Sequence, residues 1–277
     1  MTGRLTSFER DGLVFDVRDA GPLDGEPVVL LHGFPERASC WRRVEPLLGE
    51  HGLRTYAPDQ RGYSAGARPS GRRAYRTGEL VADVAALIDR IGGPVHLVGH
   101  DWGAAVGWGL AMTRPELLRT WTAVSVPHTG AFTSSMLTST QGLHSTYMGF
   151  FQLPLVPELL ASRGLFEPWL RRSGMDLEEL EVFRTDVLAD GALPGALAWY
   201  RALPFSLGGA NGRKVTVPTT MVWSDGDVAI TRAPVEATAQ WVDAPYELVV
   251  LEGVSHWIPT EAPHALADAV LARTGAA

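Results

Sequence analysis

The run Pro94-Val95-His96-Leu97-Val98-Gly99-His100-Asp101-Trp102-Gly103 decides the reading of the fold. Its first half is apolar and β-branched, as a strand buried on both faces requires. Its second half is a turn bracketed by Gly99 and Gly103, and from about Gly103 to Thr113 the chain continues as a small, apolar stretch of helical length. A strand that turns sharply into a helix is half of a parallel βα unit. Small residues on either side of the turn permit the bend and close packing, and they present the central side chain, Asp101, at its tip. Asp is also a good N-cap at any strand-to-helix turn, so the turn alone leaves both readings of Asp101 open, reactive group and cap.

The same grammar extends in both directions. Leu5 to Glu9 and Leu13 to Arg18 alternate about Asp11-Gly12, a hairpin signal. Strands are expected at PVVLLHG from Pro27, at RTYAPDQRG, at LRTWTAVSVP, at TTMVWSDGD and at YELVVLEG. Leu80, Val81, Val84, Leu87, Ile88 and Ile91 recur at helical spacing over Thr77 to Ile91, and a last helix is expected from Thr260 to Arg273. Alternating β and α units imply a mostly parallel sheet covered by helices on both faces. Between about Thr129 and Arg213 no strand pattern is found, only helical or loop segments rich in aromatics, Leu and Pro. The expected organisation is a core in two parts, residues 1–128 and 214–277, with a helical lid, residues 129–213, inserted between two strands.

Composition excludes several classes of function. The 277 residues are 45% hydrophobic and 20% charged, within the range of a packed globular protein. A net charge of −7 and no basic cluster with interleaved aromatics argue against nucleic acid as a partner. Cys40 is the sole cysteine, so neither an internal disulfide nor a thiolate metal cluster is expected, and a reducing, cytoplasmic setting fits. The polar start MTGRLTSFERDG and the shortness of the longest apolar run, Trp102 to Met112, point away from secretion and from a membrane.

Three companions bear on Asp101. His32-Gly33-Phe34-Pro35 ends the earlier strand where a backbone N–H can face the turn and form an oxyanion hole. Asp227 follows the strand that ends near Trp223, and His256 follows YELVVLEG, which gives the order nucleophile, acid, histidine. Asp225 competes with Asp227 as the acid. Eight histidines occur in the chain, but His256 is the one placed after a late strand in this ordered set.

HGFPE at His32–Glu36, APDQRGYS at Ala57–Ser64, GHDWG at Gly99–Gly103, WSDGD ending at Asp227 and SHW at His256 together resemble the epoxide hydrolase and haloalkane dehalogenase branch of the α/β-hydrolase superfamily. The resemblance spans nearly the whole chain and implies the α/β-hydrolase fold, a mostly parallel central sheet with flanking helices and an inserted helical lid. It implies Asp101 as nucleophile, His256 as base and, by the family's spacing, Asp227 as acid. It also implies Tyr147, in YMGFFQ, and Tyr200, in WYR, as donors to an epoxide oxygen; for either tyrosine alone, packing is the plainer reading. The backbone N–H groups of Phe34 and Trp102 would form the oxyanion hole, in a turn supported by His32, Gly33 and Pro35. Glu36 either orders that turn or faces solvent.

Chemistry agrees with a carboxylate in this place. A serine attacking saturated carbon would leave an ether, whereas a carboxylate leaves an ester that water can cleave. The implied reaction is hydrolysis of an apolar epoxide to a vicinal diol, with water as co-substrate and neither metal nor organic cofactor. Phe150, Phe151, Leu153, Trp199 and Trp257 are expected along the substrate pocket, with Phe132, Trp169 and Phe205 among the aromatics of the lid. Two other readings stand beside this one. A haloalkane dehalogenase would use the same Asp101, although Phe34 replaces the Asn that many of them carry. A binding protein on the same scaffold would have no use for both tyrosines and a complete acid, base and nucleophile.

Overall fold

Asp11 and Gly12, at φ of 52° and 75°, turn the chain between β1 (Ser7–Arg10) and β2 (Leu13–Ala20). Positive φ at both central residues is what a tight hairpin turn with the right twist requires. The structure, a computed structural model, describes residues 3–206 and 212–276. After the hairpin come β3 (Glu26–Leu31), β4 (Leu53–Pro58), β5 (Val95–His100), β6 (Leu118–Val124), β7 (Thr219–Ser224) and β8 (Tyr246–Leu251). They form one sheet in the order β1-β2-β4-β3-β5-β6-β7-β8. The first two pairings, β1 with β2 and β2 with β4, are antiparallel, and the rest are parallel.

Strand alternation sorts the apolar residues onto two faces. In β3, Val28 and Leu30 enter one core with Trp41, Leu48 and Val270, while Val29 and Leu31 enter the other with Leu87, Trp108 and Trp121. Helices of ten residues or more are α1 (Thr77–Ile91), α2 (Trp102–Thr113), α3 (Thr129–Thr138), α4 (Leu193–Ala202) and α5 (Pro263–Thr274). The apolar stripe of α1 buries Leu80, Val84, Leu87 and Ile88, and Gly92, at φ 100°, ends the helix by returning its N–H to the Ile88 carbonyl. The single helix expected from Thr260 to Arg273 is two: Ile258–Glu261, then α5 from Pro263. Proline has no N–H to give inside a helix but fits its first turn, so Pro263 ends one and begins the next.

Among the described residues between β6 and β7 there is no strand, only a succession of helices and turns. The segment begins at α3, whose first turn is capped by His128 Nδ1 accepting the Gly130 N–H at 3.0 Å. The parallel pairings bring β3, β5, β6, β7 and β8 to a common C-terminal edge, beneath this segment. Register does the positioning: Leu31 lies opposite Gly99, so the turn after β3 sits beside the turn after β5.

Candidate active site

At the C-terminal edge, Asp101 adopts φ 52° and ψ −118°, a conformation a non-glycine residue takes at a cost of about 1–3 kcal/mol. The surroundings impose it. Its N–H donates to the Val124 carbonyl at 3.2 Å, and its carbonyl accepts from Ala104 and Ala105 at 3.0 and 3.1 Å. Glycine is required on the helix side, because a Cβ on Gly103 would lie 2.2 Å from the Leu31 carbonyl oxygen. The turn thus holds the Asp101 side chain out over the sheet edge.

Gly33 lets the neighbouring turn close on it. A Cβ there would come 2.4 Å from the Asp101 Cβ, so only glycine allows the Phe34 N–H to donate to Asp101 Oδ1 at 2.7 Å. The N–H of Trp102, first residue of α2, has no intrahelical carbonyl to bond. His32 braces this turn: its Nδ1 is 3.0 Å from the Gly33 carbonyl, and its Nε2 accepts the Gln60 N–H at 3.0 Å. Burial holds its pKa below the ordinary imidazole value, which keeps the ring neutral in that role. We expect Gly33→Ala to lower kcat/KM by about 10²-fold, since a misplacement of roughly 1 Å at the reacting atoms has that effect. Melting temperature should fall by only a few degrees, about what an overpacking cost of 1–3 kcal/mol produces; steady-state kinetics and thermal unfolding would check the pair of values.

His256 completes the set. Its Nδ1 lies 2.7 Å from Asp227 Oδ2 and its Nε2 3.5 Å from Asp101 Oδ2. Asp227 is fixed through its other oxygen, which accepts the N–H groups of Ala229 and Ile230 at 2.7 and 2.9 Å. Asp225, the competing acid, is exposed and accepts the Gly253 N–H instead. Burial disfavours the charge on Asp101, but His256, His100 and the Phe34 N–H outweigh it and hold the carboxyl below its usual pKa. Burial likewise opposes protonation of His256, yet Asp227 and Asp101 together raise its pKa well above the ordinary imidazole value. The two flanking carboxylates thus favour the protonated form of the imidazole.

Over this edge the helical segment lowers two phenols. Tyr147 and Tyr200 line the cavity that contains Asp101 and stand with ring centroids 6.2 Å apart. Burial, reinforced by Asp101, pushes both hydroxyls far above the usual phenol range, so they are neutral donors at any ordinary pH. The Trp102 and Tyr200 rings meet edge-to-face at 4.9 Å.

Two buried groups that the motif reading left without a partner meet here. Glu36 is buried, with Oε2 3.0 Å from His100 Nδ1, while His100 Nε2 lies 3.0 Å from the His256 carbonyl. Ser125 Oγ donates to that same carbonyl at 3.0 Å, so the loop carrying His256 is tied to both central strands. His100 was the missed residue: a histidine in a strand buried on both faces must find hydrogen-bond partners, and that was the available signal.

The pocket expectation needs correction. A cavity of about 270 Å³ opens onto Asp101, and none of Phe150, Phe151, Leu153, Trp199 and Trp257 lines it. Phe150 and Phe151 pack on each other and on Phe166, with Phe151 buttressing the Tyr200 ring at 4.9 Å. Trp199 lies beneath Trp102 and donates to the Arg61 carbonyl, and Trp257 donates to Ser173 Oγ. Leu153 is exposed, as are Trp169 and Phe205. Of the expected lid aromatics, Phe132 reaches the cavity.

Fold and site together define a hydrolase scaffold with a carboxylate at the nucleophile turn. The chain belongs to the alpha/beta hydrolase family, which it matches over residues 28–269. Within that family it falls in the epoxide hydrolase branch. It is 32% identical to human epoxide hydrolase 4 over 91% of this chain and 73% of that protein. It is 35% identical to the AB hydrolase superfamily protein YfhM of Bacillus subtilis over 91% of each. Among solved structures, an epoxide hydrolase from hot-environment metagenomes superposes with a TM-score of 0.86 at 29% identity, covering 99% of both chains. An epoxide hydrolase of Vigna radiata superposes with a TM-score of 0.83 at 28% identity, covering 97% of both.

Proposed function

We propose that this enzyme opens an apolar epoxide to a vicinal diol through a covalent ester on Asp101, with residues 129–213 serving as its lid. Asp101 Oδ2 attacks a ring carbon as the C–O bond breaks, and a phenol, Tyr147 or Tyr200, passes its proton to the departing oxygen. Oδ1, already held by the Phe34 N–H at 2.7 Å, becomes the ester carbonyl oxygen. Esterification cancels the Asp101 charge, one of the two anions holding the proton on His256, so the imidazole shifts toward the neutral form a general base requires. Neutral His256 takes a proton from water as it attacks the ester carbonyl. The oxyanion forms on Oδ1, facing the N–H groups of Phe34 and Trp102. Collapse expels the diol oxygen, which receives the proton from His256; the second proton of the water restores the phenol, and His256 regains from solvent the proton that it released on esterification. Asp227 orients the imidazole throughout.

The observation that carries the reading is the pair of neutral phenols, Tyr200 buried and Tyr147 partly buried, beside a buried carboxylate. An alkoxide leaving group needs proton donors of this kind, whereas a halide needs only weak N–H donors. The Trp102 indole, the donor a dehalogenase would use, packs edge-to-face against the Tyr200 ring at 4.9 Å. Incubation with aromatic and aliphatic epoxides and detection of the diols tests the reading; halide release from short haloalkanes without diol formation would replace it with the dehalogenase alternative.

The charge coupling gives its own expected result. In Asp101→Asn, which mimics the uncharged ester, His256 should titrate about 1–3 pH units lower than in the wild type, the effect of one opposite charge at this range. Nitrogen-15 NMR of the imidazole would follow it. Equal titration midpoints would uncouple the two residues and remove the charge switch from the mechanism.

A further inference from the structure

Among the described residues that line the cavity, Asp101 carries the one formal charge. Three helix faces wall it: Trp102 and Ala105 from α2, Thr129, Phe132 and Thr133 from α3, and Tyr200 from α4 followed by Leu203 and Ser206 just beyond. Leu203, in the 3-10 turn that follows α4, and Ser206 just after it extend this wall beyond Tyr200. Away from Asp101 the polar groups on the wall are hydroxyls: Thr77, Thr129, Thr133 and Ser206, with Ser206 Oγ accepting the Thr77 N–H at 3.0 Å. No Lys, Arg or His is among the lining residues, and the sequence of 207–211, Leu-Gly-Gly-Ala-Asn, contains none. Behind Asp101, the His256 imidazole lies between Asp101 and Asp227, so two carboxylates face a single ring and the reacting end is net negative.

We infer that this site selects uncharged epoxides and rejects those carrying a carboxylate near the ring. This rests on the epoxide hydrolase reading and narrows its substrate class. A substrate carboxylate on a ring carbon would lie roughly 6 Å from the Asp101 carboxylate, a repulsion worth about 100-fold in rate at an effective dielectric constant of about 20. No cation among the described lining residues offsets it, and His256 beside Asp101 is shared with a second carboxylate, Asp227. The hydroxyls can instead hold a neutral ether, ester, amide or alcohol.

An isosteric pair isolates charge from size: 3-phenylglycidamide and 3-phenylglycidate, with styrene oxide as uncharged reference. For the wild type, kcat/KM for the amide should exceed that for the carboxylate by about 100-fold. Thr133→Arg places a cation on the exposed rim of α3 and should raise kcat/KM for the carboxylate relative to that for the amide about 10-fold. Amide and carboxylate turned over within a few-fold of each other, with styrene oxide active, would overturn the charge selection and leave the epoxide hydrolase reading intact. So would a Thr133→Arg variant that keeps styrene oxide activity and gains nothing on the carboxylate relative to the amide. A wild type inert toward all three compounds, and toward the wider epoxide panel, would overturn the epoxide hydrolase reading itself.

Discussion

His256→Gln, mixed with an epoxide that the wild type hydrolyses, should gain the whole mass of that epoxide and keep it. Ring opening expels no fragment, so the adduct equals the substrate, whereas a haloalkane would add its mass less hydrogen halide. Glutamine matches the imidazole in reach but cannot serve as a base near neutral pH. Asp227 stays satisfied in the variant, since two backbone N–H groups bind its other oxygen. Alkylation should therefore proceed, while turnover falls by about 10²–10⁴-fold, the usual contribution of a general base. Intact-protein mass spectrometry reads the adduct, and peptide mapping should place it on Asp101. Asp101→Asn should remove it. An adduct on another carboxylate would overturn the nucleophile assignment. A folded His256→Gln that binds the epoxide yet never forms an adduct would favour direct attack by water.

The tyrosines carry the second large effect. Tyr147→Phe and Tyr200→Phe each delete one hydroxyl and keep the ring, so the packing of Tyr200 on Trp102, Phe34 and Phe151 at 4.9–5.1 Å survives. Each loss should slow ester formation by about 10²–10³-fold, as for one lost oxyanion-hole donor. The double variant should form almost no ester. Stopped-flow measurement of ester formation, with circular dichroism to show that the fold is kept, separates this from unfolding. Unchanged rates in both single variants would take the tyrosines out of the mechanism, and bromide release retained by the double variant would move the reading to a dehalogenase.

The sheet was legible because its strands are apolar on both faces and stop at turns: Val95 to His100 and Thr219 to Ser224 are buried at every position. The stripe over Thr77 to Ile91 was equally plain and matches α1 residue for residue. Pro263 was present in the sequence, but its effect depends on where the preceding helix begins, which periodicity does not locate. The family resemblance was legible from five short motifs and agrees with the family match. Side-chain destinations were not legible. Composition marks Phe151 and Trp199 as apolar but does not say whether such a residue faces a cavity or supports the one that does; both support Tyr200 or Trp102 from behind. Glu36 and His100 lie 64 positions apart, and only the register of β3 with β5 brings them together.

The two sets of reacting groups ride on different parts of the molecule. Asp101, His256 and Asp227 hang from the rim of the sheet, while Tyr147 and Tyr200 hang from the helices between β6 and β7. In the proposed mechanism, the two half-reactions thus inherit different mechanical supports. A perturbant that loosens the helices while the sheet stays folded would stall capture of the substrate and leave release of an ester already formed running at its native speed. Ageing, heating or partial proteolysis of this protein would then be visible first as a failing burst with an intact turnover of whatever had been captured.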